Sequence, residues 1–287
     1  MSFEENLYSH KIGLVVCWFG PWPWYFHYFV HSAKYNKTID FIIVTNEPIK
    51  IPLPDNIKII HLEISGLRSL AIEKLGFEVS IKNPYKLCDF KPAYGFIFRE
   101  YLEKYHFWGH IDLDIIFGNI RYFVTDNILS THDLIAVRHD YLTGYFTLFR
   151  NNRSMNELFK ESKDYKKVFS NDRHFCFDET NFRFNEFACK KHYSTILSEV
   201  ESMTHVVKKM EERHLLKAYF EFHVIEGAEG KLRWDKGRLF YKNEYEAILY
   251  HLILFKTKFI RQENYISDIP DVFSIGRDDI FFRKGKK

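Results

Sequence analysis

Residues Tyr105–Phe123 read YHFWGHIDLDIIFGNIRYF. Two carboxylates, Asp112 and Asp114, stand in a run that is otherwise almost wholly apolar, with Leu113 between them. Side chains alternate along a strand, so on an ideal strand the pair would share one face. Two like charges on one face repel and are costly to bury unless something positive lies between them, and a divalent metal is the simplest such group. The competing reading is a turn cap or a pair of partners for Lys or Arg. The apolar residues on both sides, bracketed by Gly109 and Gly118, predict a buried strand. In an α/β protein the end of such a strand is where ligands bind.

Upstream, the residues up to Phe19 form a short apolar run, IGLVVCWF, that ends in Gly20-Pro21. It predicts a buried parallel strand followed by a loop. Aromatics at helical spacing predict a helix over Trp22–Lys34. Asp40–Thr45 and Asn56–Leu62 read as two further strands. Strand, helix, strand, strand within the first 62 residues argues for an α/β fold with a mostly parallel sheet. Ile64–Ser80 carries an amphipathic stripe of Leu67, Leu70, Ala71 and Leu75. A second helix is expected from Pro92 onward, with proline in its first turn, where the missing N–H costs nothing. Lys86 and Lys91 then lie in a loop and at a helix start. Such a place suits an anion, though two solvated lysines are the plainer reading.

Downstream, the pattern predicts a short helix over Arg121–Leu129 and strands over Asp133–Arg138 and Gly144–Arg150. It continues with a helical stretch over Ser154–Phe169, a helix-prone one over Ile196–Leu216 and a strand over Phe220–Ile225. A hairpin turns through Asp235-Lys236-Gly237. Tyr250–Lys258 closes the ordered part. No repeat or Pro/Gly/Ser linker is visible. One α/β domain over 1–287 is therefore expected, regular in its first half and irregular in its second, with a tail at 261–287.

A net charge of +3 gives no nucleic-acid signal. The cysteines Cys17, Cys88, Cys176 and Cys189 lack Cys-x-x-Cys spacing, which argues against zinc and a disulfide scaffold and for reduced thiols in the cytoplasm. The polar N-terminus predicts no signal peptide, and no apolar run reaches the ~18–20 residues of a transmembrane helix. The basic, aromatic C-terminus, FFRKGKK, would at most touch an anionic membrane surface weakly. Aromatics make up 18% of the chain, which fits either an aromatic core or a sugar-stacking surface.

Four features ask for one explanation: a Gly-Pro loop after the first strand, lysines before a helix, Asp-x-Asp at a strand end, and a late His251-x4-Lys256. A transferase acting on a nucleotide sugar supplies one, because a metal would neutralise the donor diphosphate and stabilise its departure. The stretches KLCDFKPAYG (86–95), FWGHIDLDIIFG (107–118) and GYFTLFRN (144–151), with Asp178-Glu179 and Tyr250-His251 fitting more loosely, resemble the GT-A glycosyltransferases. The likeness is to the bacterial enzymes of capsule and O-antigen biosynthesis, and it runs from about Ile12 to Lys256.

The resemblance implies a single GT-A-like domain. It would have a Rossmann-like, mostly parallel central sheet with helices on both faces, a donor-binding half at about 10–125 and an acceptor-binding half at about 126–260. It further implies a hexosyltransferase that uses Mn2+ or Mg2+ and a UDP-sugar donor, with a glycan or lipid-linked glycan as acceptor. Asp112, Asp114 and His251 would hold the metal, with Asp112 also near the ribose. Leu-Ile-Leu-Phe follows His251 where glycogenin-like relatives have a Gly, so a core histidine is its competing reading. Lys256 would contact the diphosphate. Cys17, Trp18 and Phe19 would cradle the base, and Lys86, Asp89, Lys91 and Leu113 would line the donor pocket. Gly144, Tyr145 and Phe146 would floor the acceptor site, with one of the two aromatics in the core. Asp178 or Glu179 would be the base of an inverting enzyme, or else a helix-start pair. Sequence leaves the stereochemistry open.

Two other classes stay in view. A nucleotidyltransferase or metal phosphodiesterase also uses paired carboxylates, but Cys17–Pro21 is not a Gly-rich, basic phosphate loop. A sugar-binding module would need the aromatics and not Asp-x-Asp.

Overall fold

The strands expected at the start of the chain are Ile12–Trp18 (β1), Ile39–Thr45 (β2) and Ile57–His61 (β3), with the helix Phe26–Lys34 (α1) crossing between the first two. The helix Ile64–Leu75 (α2) follows and stops at Gly76, which takes the left-handed conformation at φ 76°. The computed structural model describes residues 8–221, 223–227, 230–259 and 269–282. The remaining strands are Phe107–Ile111 (β4), Ile115–Phe117 (β5), Leu134–Ala136 (β6), Phe146–Arg150 (β7), Ala218–Phe220 (β8), Val224–Glu226 (β9), Leu232–Asp235 (β10), Arg238–Tyr241 (β11), Tyr245–Ala247 (β12), Leu249–His251 (β13), Val272–Ile275 (β14) and Ile280–Phe282 (β15).

The central sheet has seven strands in the order β3-β2-β1-β4-β7-β6-β8. It is mostly parallel; only β7 runs against its neighbours. Alternate residues of β1 feed two cores. Ile12, Leu14 and Val16 pack with Phe26 and Phe29 of α1, and Val15 packs with Leu67 and Ala71 of α2. Helices therefore cover both faces, which is why β1 is apolar throughout and β2 is a mainly apolar run rather than an alternating one. Because β6, β7 and β8 come from the part expected to bind the acceptor, about 126–260, one sheet joins the two expected parts.

The stretch 105–123 is not one strand. β4 belongs to the central sheet, whereas β5 leaves it and pairs with β13 in a three-stranded sheet, β5-β13-β9. Asp112, Leu113 and Asp114 form the bend between the two strands. Leaving the ladder there frees two carboxylates from a buried sheet interior. The helix expected after Pro92 is likewise broken into short turns, Lys91–Ala93, Tyr94–Ile97 and Arg99–Leu102. Proline cannot donate to the preceding turn. Gly95 lies flat on Trp108, where a Cβ would come within 2.2 Å of the indole. Trp108 is itself fully buried, stacked on Phe149 and bonded through Nε1 to Asn156 at 2.6 Å.

The 231–241 segment forms the expected hairpin. Lys236 and Gly237 both have positive φ, 48° and 86°, the conformation that suits a two-residue turn. The tail expected at 261–287 is corrected in part. β14 and β15 form an antiparallel pair inside a second sheet, β12-β11-β10-β14-β15, with Phe273 and Ile275 buried against Trp234 and α1. Residues 1–7, 260–268 and 283–287, which carry the N-terminal and basic C-terminal readings, lie outside the described residues. Among the described residues no helix is long and apolar enough to cross a membrane.

Candidate functional site

A cleft of about 630 Å³ opens at the carboxyl ends of β1 and β4. This is the expected position for a ligand in an open α/β sheet. β1 delivers Cys17 and Trp18, and the bend after β4 delivers Asp112, Leu113 and Asp114. The residues entering β7, Gly144 and Tyr145, lie at the same end because β7 is antiparallel. β13 brings in His251, since its pairing with β5 sets His251 opposite Ile115, next in sequence to Asp114.

Oxygens of Asp112 and Asp114 and one nitrogen of His251 all lie within 4.8 Å of one another. His251 Nε2 is 3.4 Å from Asp114 Oδ2, and His251 Nδ1 is buried with no hydrogen-bond partner. Lys256 Nζ donates to Asp114 Oδ2 at 2.7 Å. Burial alone would raise the Asp114 carboxyl, but His251 and Lys256 outweigh it and hold it well below the usual range. Burial opposes the charged His251 ring, and Asp114, with Asp112 and Glu226 behind it, still raises that ring above its ordinary value.

Lys91 is the hub of the other side. Its buried ammonium donates to Asp112 and to the Gly144 carbonyl, the latter at 2.9 Å, and lies 3.8 Å from Asp178 Oδ2. Burial works against its charge; Asp112 and Asp178 outweigh it and raise it well above the lysine range. His110 on β4 completes the clamp, its Nδ1 3.0 Å from the same Gly144 carbonyl. Burial, followed by Lys91, pushes His110 down to about 3, so its ring is neutral and that nitrogen donates. A Cβ on Gly144 would stand 2.4 Å from Asp178 Oδ2 and 3.2 Å from Lys91 Nζ, so a side chain there would push the Asp178 carboxyl aside.

The two carboxyls of Asp178-Glu179 differ in use. Glu179 Oε1 accepts the Gly144 N–H at 2.7 Å, and Oε2 accepts the Cys176 thiol at 3.4 Å. Asp178, 3% exposed, reaches the cleft beside Lys91. Burial pushes both above the ordinary carboxyl range, Asp178 well above it.

Cys17, Trp18, Phe19, Lys91, Leu113, Gly144, Tyr145 and Lys256 all line this one cleft with the acidic residues. Three expected site residues do not. Phe146 faces the core at 0% exposure, because it alternates with Tyr145 on β7; Tyr145 lies against His251 at 4.3 Å between rings. Lys86 and Asp89 form a fully buried ion pair at 2.8 Å behind the cleft. Lys86 also donates to the carbonyls of Val168 and Arg173, and Asp89 accepts the N–H groups of Phe175 and Phe177. They brace the loop that presents Asp178 instead of touching a donor. Lys86→Met removes the ammonium that neutralises Asp89 and leaves that buried carboxylate to the Phe175 and Phe177 N–H groups. Urea unfolding of that variant is expected to show a loss of roughly 3–5 kcal/mol, and the double variant Lys86→Met/Asp89→Asn to lose less than the sum of its singles.

Sequence reasoning missed Tyr25, Tyr85, Tyr141, His174, Phe184 and Glu226, all of which line the cleft. Glu226 arrives only because β9 pairs with β13 and sets it beside His251. Cys88 and Tyr94 also line it, and they lie within the 86–95 block already singled out.

The profile of a family described as "Family of unknown function (DUF6625)" matches residues 14–281. The chain belongs to the DUF6625 family. The match spans the central sheet, the cleft and β14, so every cleft residue of this DUF6625 chain lies within it. No curated protein matches the chain.

Proposed function

We propose that this protein is a metal-dependent GT-A glycosyltransferase. It moves a sugar from a nucleotide diphosphate donor, UDP-sugar by preference, to a glycan or lipid-linked glycan in surface polysaccharide synthesis. The observation that carries the reading is the meeting of Asp112, Asp114 and His251 in one cleft, with Lys256 on Asp114. The donor set fits a divalent ion. The two carboxylate oxygens and the imidazole nitrogen, all within 4.8 Å of one another, would hold such an ion. Two carboxylates with an imidazole suit Mn2+ at least as well as Mg2+.

When bound, the ion would supply Lewis-acid stabilisation of the leaving diphosphate. Lys256 adds positive charge at the same place, and Trp18 and Phe19 at the end of β1 offer the base an apolar wall. Glu179 is committed to Gly144 and Cys176, so Asp178 is the carboxyl that takes the proton of the acceptor hydroxyl. A raised affinity for protons suits a base that works near neutral pH. Lys91 ties Asp178 to Asp112 and so couples the two ends of the reaction.

The test is a melting-temperature panel. UDP with Mn2+ is expected to raise the melting temperature, and neither alone to do so. Hydrolysis of nucleotide sugars, read on the same panel, names the donor. A flat melting temperature across all nucleotides with Mn2+ would sink the proposal.

A further inference from the structure

The cleft has a second end whose chemistry differs from the metal end. Tyr85 stands at its mouth 66% exposed, edge-on to His174 at 4.7 Å, and His174 meets Phe182 at 5.6 Å. On the other side, Tyr141 meets Phe184 edge-on at 5.4 Å and carries the Arg138 guanidinium on its face at 4.4 Å. The carboxyls Asp178, Glu179 and Glu226 line the same cleft as both rings.

The cations of this end are already engaged. Lys91 is bonded to Asp112 and Gly144. Arg138 is forked onto Asp140 at 2.7 and 2.8 Å and paired with Glu226. Lys256 is bonded to Asp114.

From this arrangement we infer that the acceptor is an uncharged glycan, and that an acceptor bearing phosphate at its reacting end is rejected. The inference rests on the glycosyltransferase reading and narrows it. Aromatic faces receive the C–H faces of a pyranose, and carboxyls receive its hydroxyls. A phosphate would enter among Asp178, Glu179 and Glu226 with each nearby cation already paired, which costs desolvation and repulsion together.

The experiment is saturation-transfer NMR on the full chain with UDP and Mg2+. The probes are methyl glycosides and neutral trisaccharides of glucose, galactose and N-acetylglucosamine, each beside its 6-phosphate. At least one neutral probe is expected to bind at millimolar concentration, and its phosphate at least about 10-fold more weakly. Tyr85→Ala is expected to weaken the neutral probe roughly 5-fold, and Tyr85→Phe to keep it, because the ring face does the work. Tyr85 is exposed, so truncation leaves the fold in place, which the melting temperature of the variant checks.

Phosphates that bind as tightly as the neutral sugars, no neutral binding at all, or an indifferent Tyr85→Ala each overturn the inference. If those results come with UDP and Mg2+ still raising the melting temperature of the wild-type protein, the transferase reading survives. If that rise is absent as well, both fail.

Discussion

Asp112→Asn and Asp114→Asn, made singly, are each expected to abolish the stabilisation by UDP with Mn2+ and to cut kcat/KM for the nucleotide sugar by at least ~10³-fold. A metal that stabilises the leaving diphosphate contributes several kcal/mol, and each ~1.4 kcal/mol is a factor of ten. The readout must be the ligand-induced shift relative to each variant's own melting temperature, because the unliganded proteins will also differ. His251 and Lys256 hold Asp114 well below its usual range, so the carboxylate stabilises the fold above its unfolded pKa and loses that contribution as pH falls through the folded value. Asp114→Asn discards this contribution and leaves Lys256 without its partner, so the unliganded variant should melt lower at neutral pH. Sugar binding that survives both substitutions without metal would point to a binding module instead of a transferase.

Asp178→Asn is expected to give the opposite stability result together with a comparable loss of turnover. Burial raises the Asp178 carboxyl well above its unfolded value. The folded state therefore holds its proton where the unfolded chain has lost it, and stability declines as pH rises between the two values. Asparagine removes that penalty. The variant should melt higher than wild type at pH 8, and the difference should shrink towards pH 4, where the carboxyl is protonated in the folded state and partly so in the unfolded chain. On the proposed mechanism the same substitution removes the proton acceptor. kcat/KM should fall by ~10²–10⁴-fold, and the rise of wild-type activity with pH should flatten. A variant that keeps its activity, or that melts lower at pH 8 than at pH 4 relative to wild type, would remove Asp178 from the mechanism. Glu179→Gln is a useful contrast, because it disturbs the Gly144 N–H and the Cys176 thiol and should cost stability as well as rate.

Several elements were readable from local pattern. β1, β2 and β3 are apolar runs ended by turn residues, and the 232–241 hairpin is announced by Lys236-Gly237. Helix lengths were less readable. The stretch from Lys91 onward has helical composition, yet Pro92 and the contact of Gly95 with Trp108 break it into turns. β14 and β15 are not legible in the sequence, because strands of four and three residues have little periodicity of their own and are stabilised by pairing, β14 with β10 and β15 with β14. Lys86 and Asp89 show the same limit at the site. The place of Lys86 before a helix start suits an anion, and the resemblance puts Asp89 in the donor pocket; only packing reveals that each is the other's buried partner.

By itself, then, the sequence determined the α/β alternation, the place of Asp112-Leu113-Asp114 after an apolar strand, and the blocks that supply Lys91, Gly144 and Asp178. Those features are local: side-chain period, turn chemistry and adjacency are carried by neighbours in the chain. Tertiary structure alone decided which distant groups meet them. It set Lys256 on Asp114 across 142 residues and brought His251 beside it through β5–β13 pairing. It brought both Asp178 and Glu179 to the cleft and committed Glu179 to the Gly144 N–H. The physical reason is that a carboxylate's role follows from its burial and its charged neighbours, and both are properties of the packed fold rather than of the residues beside it in sequence.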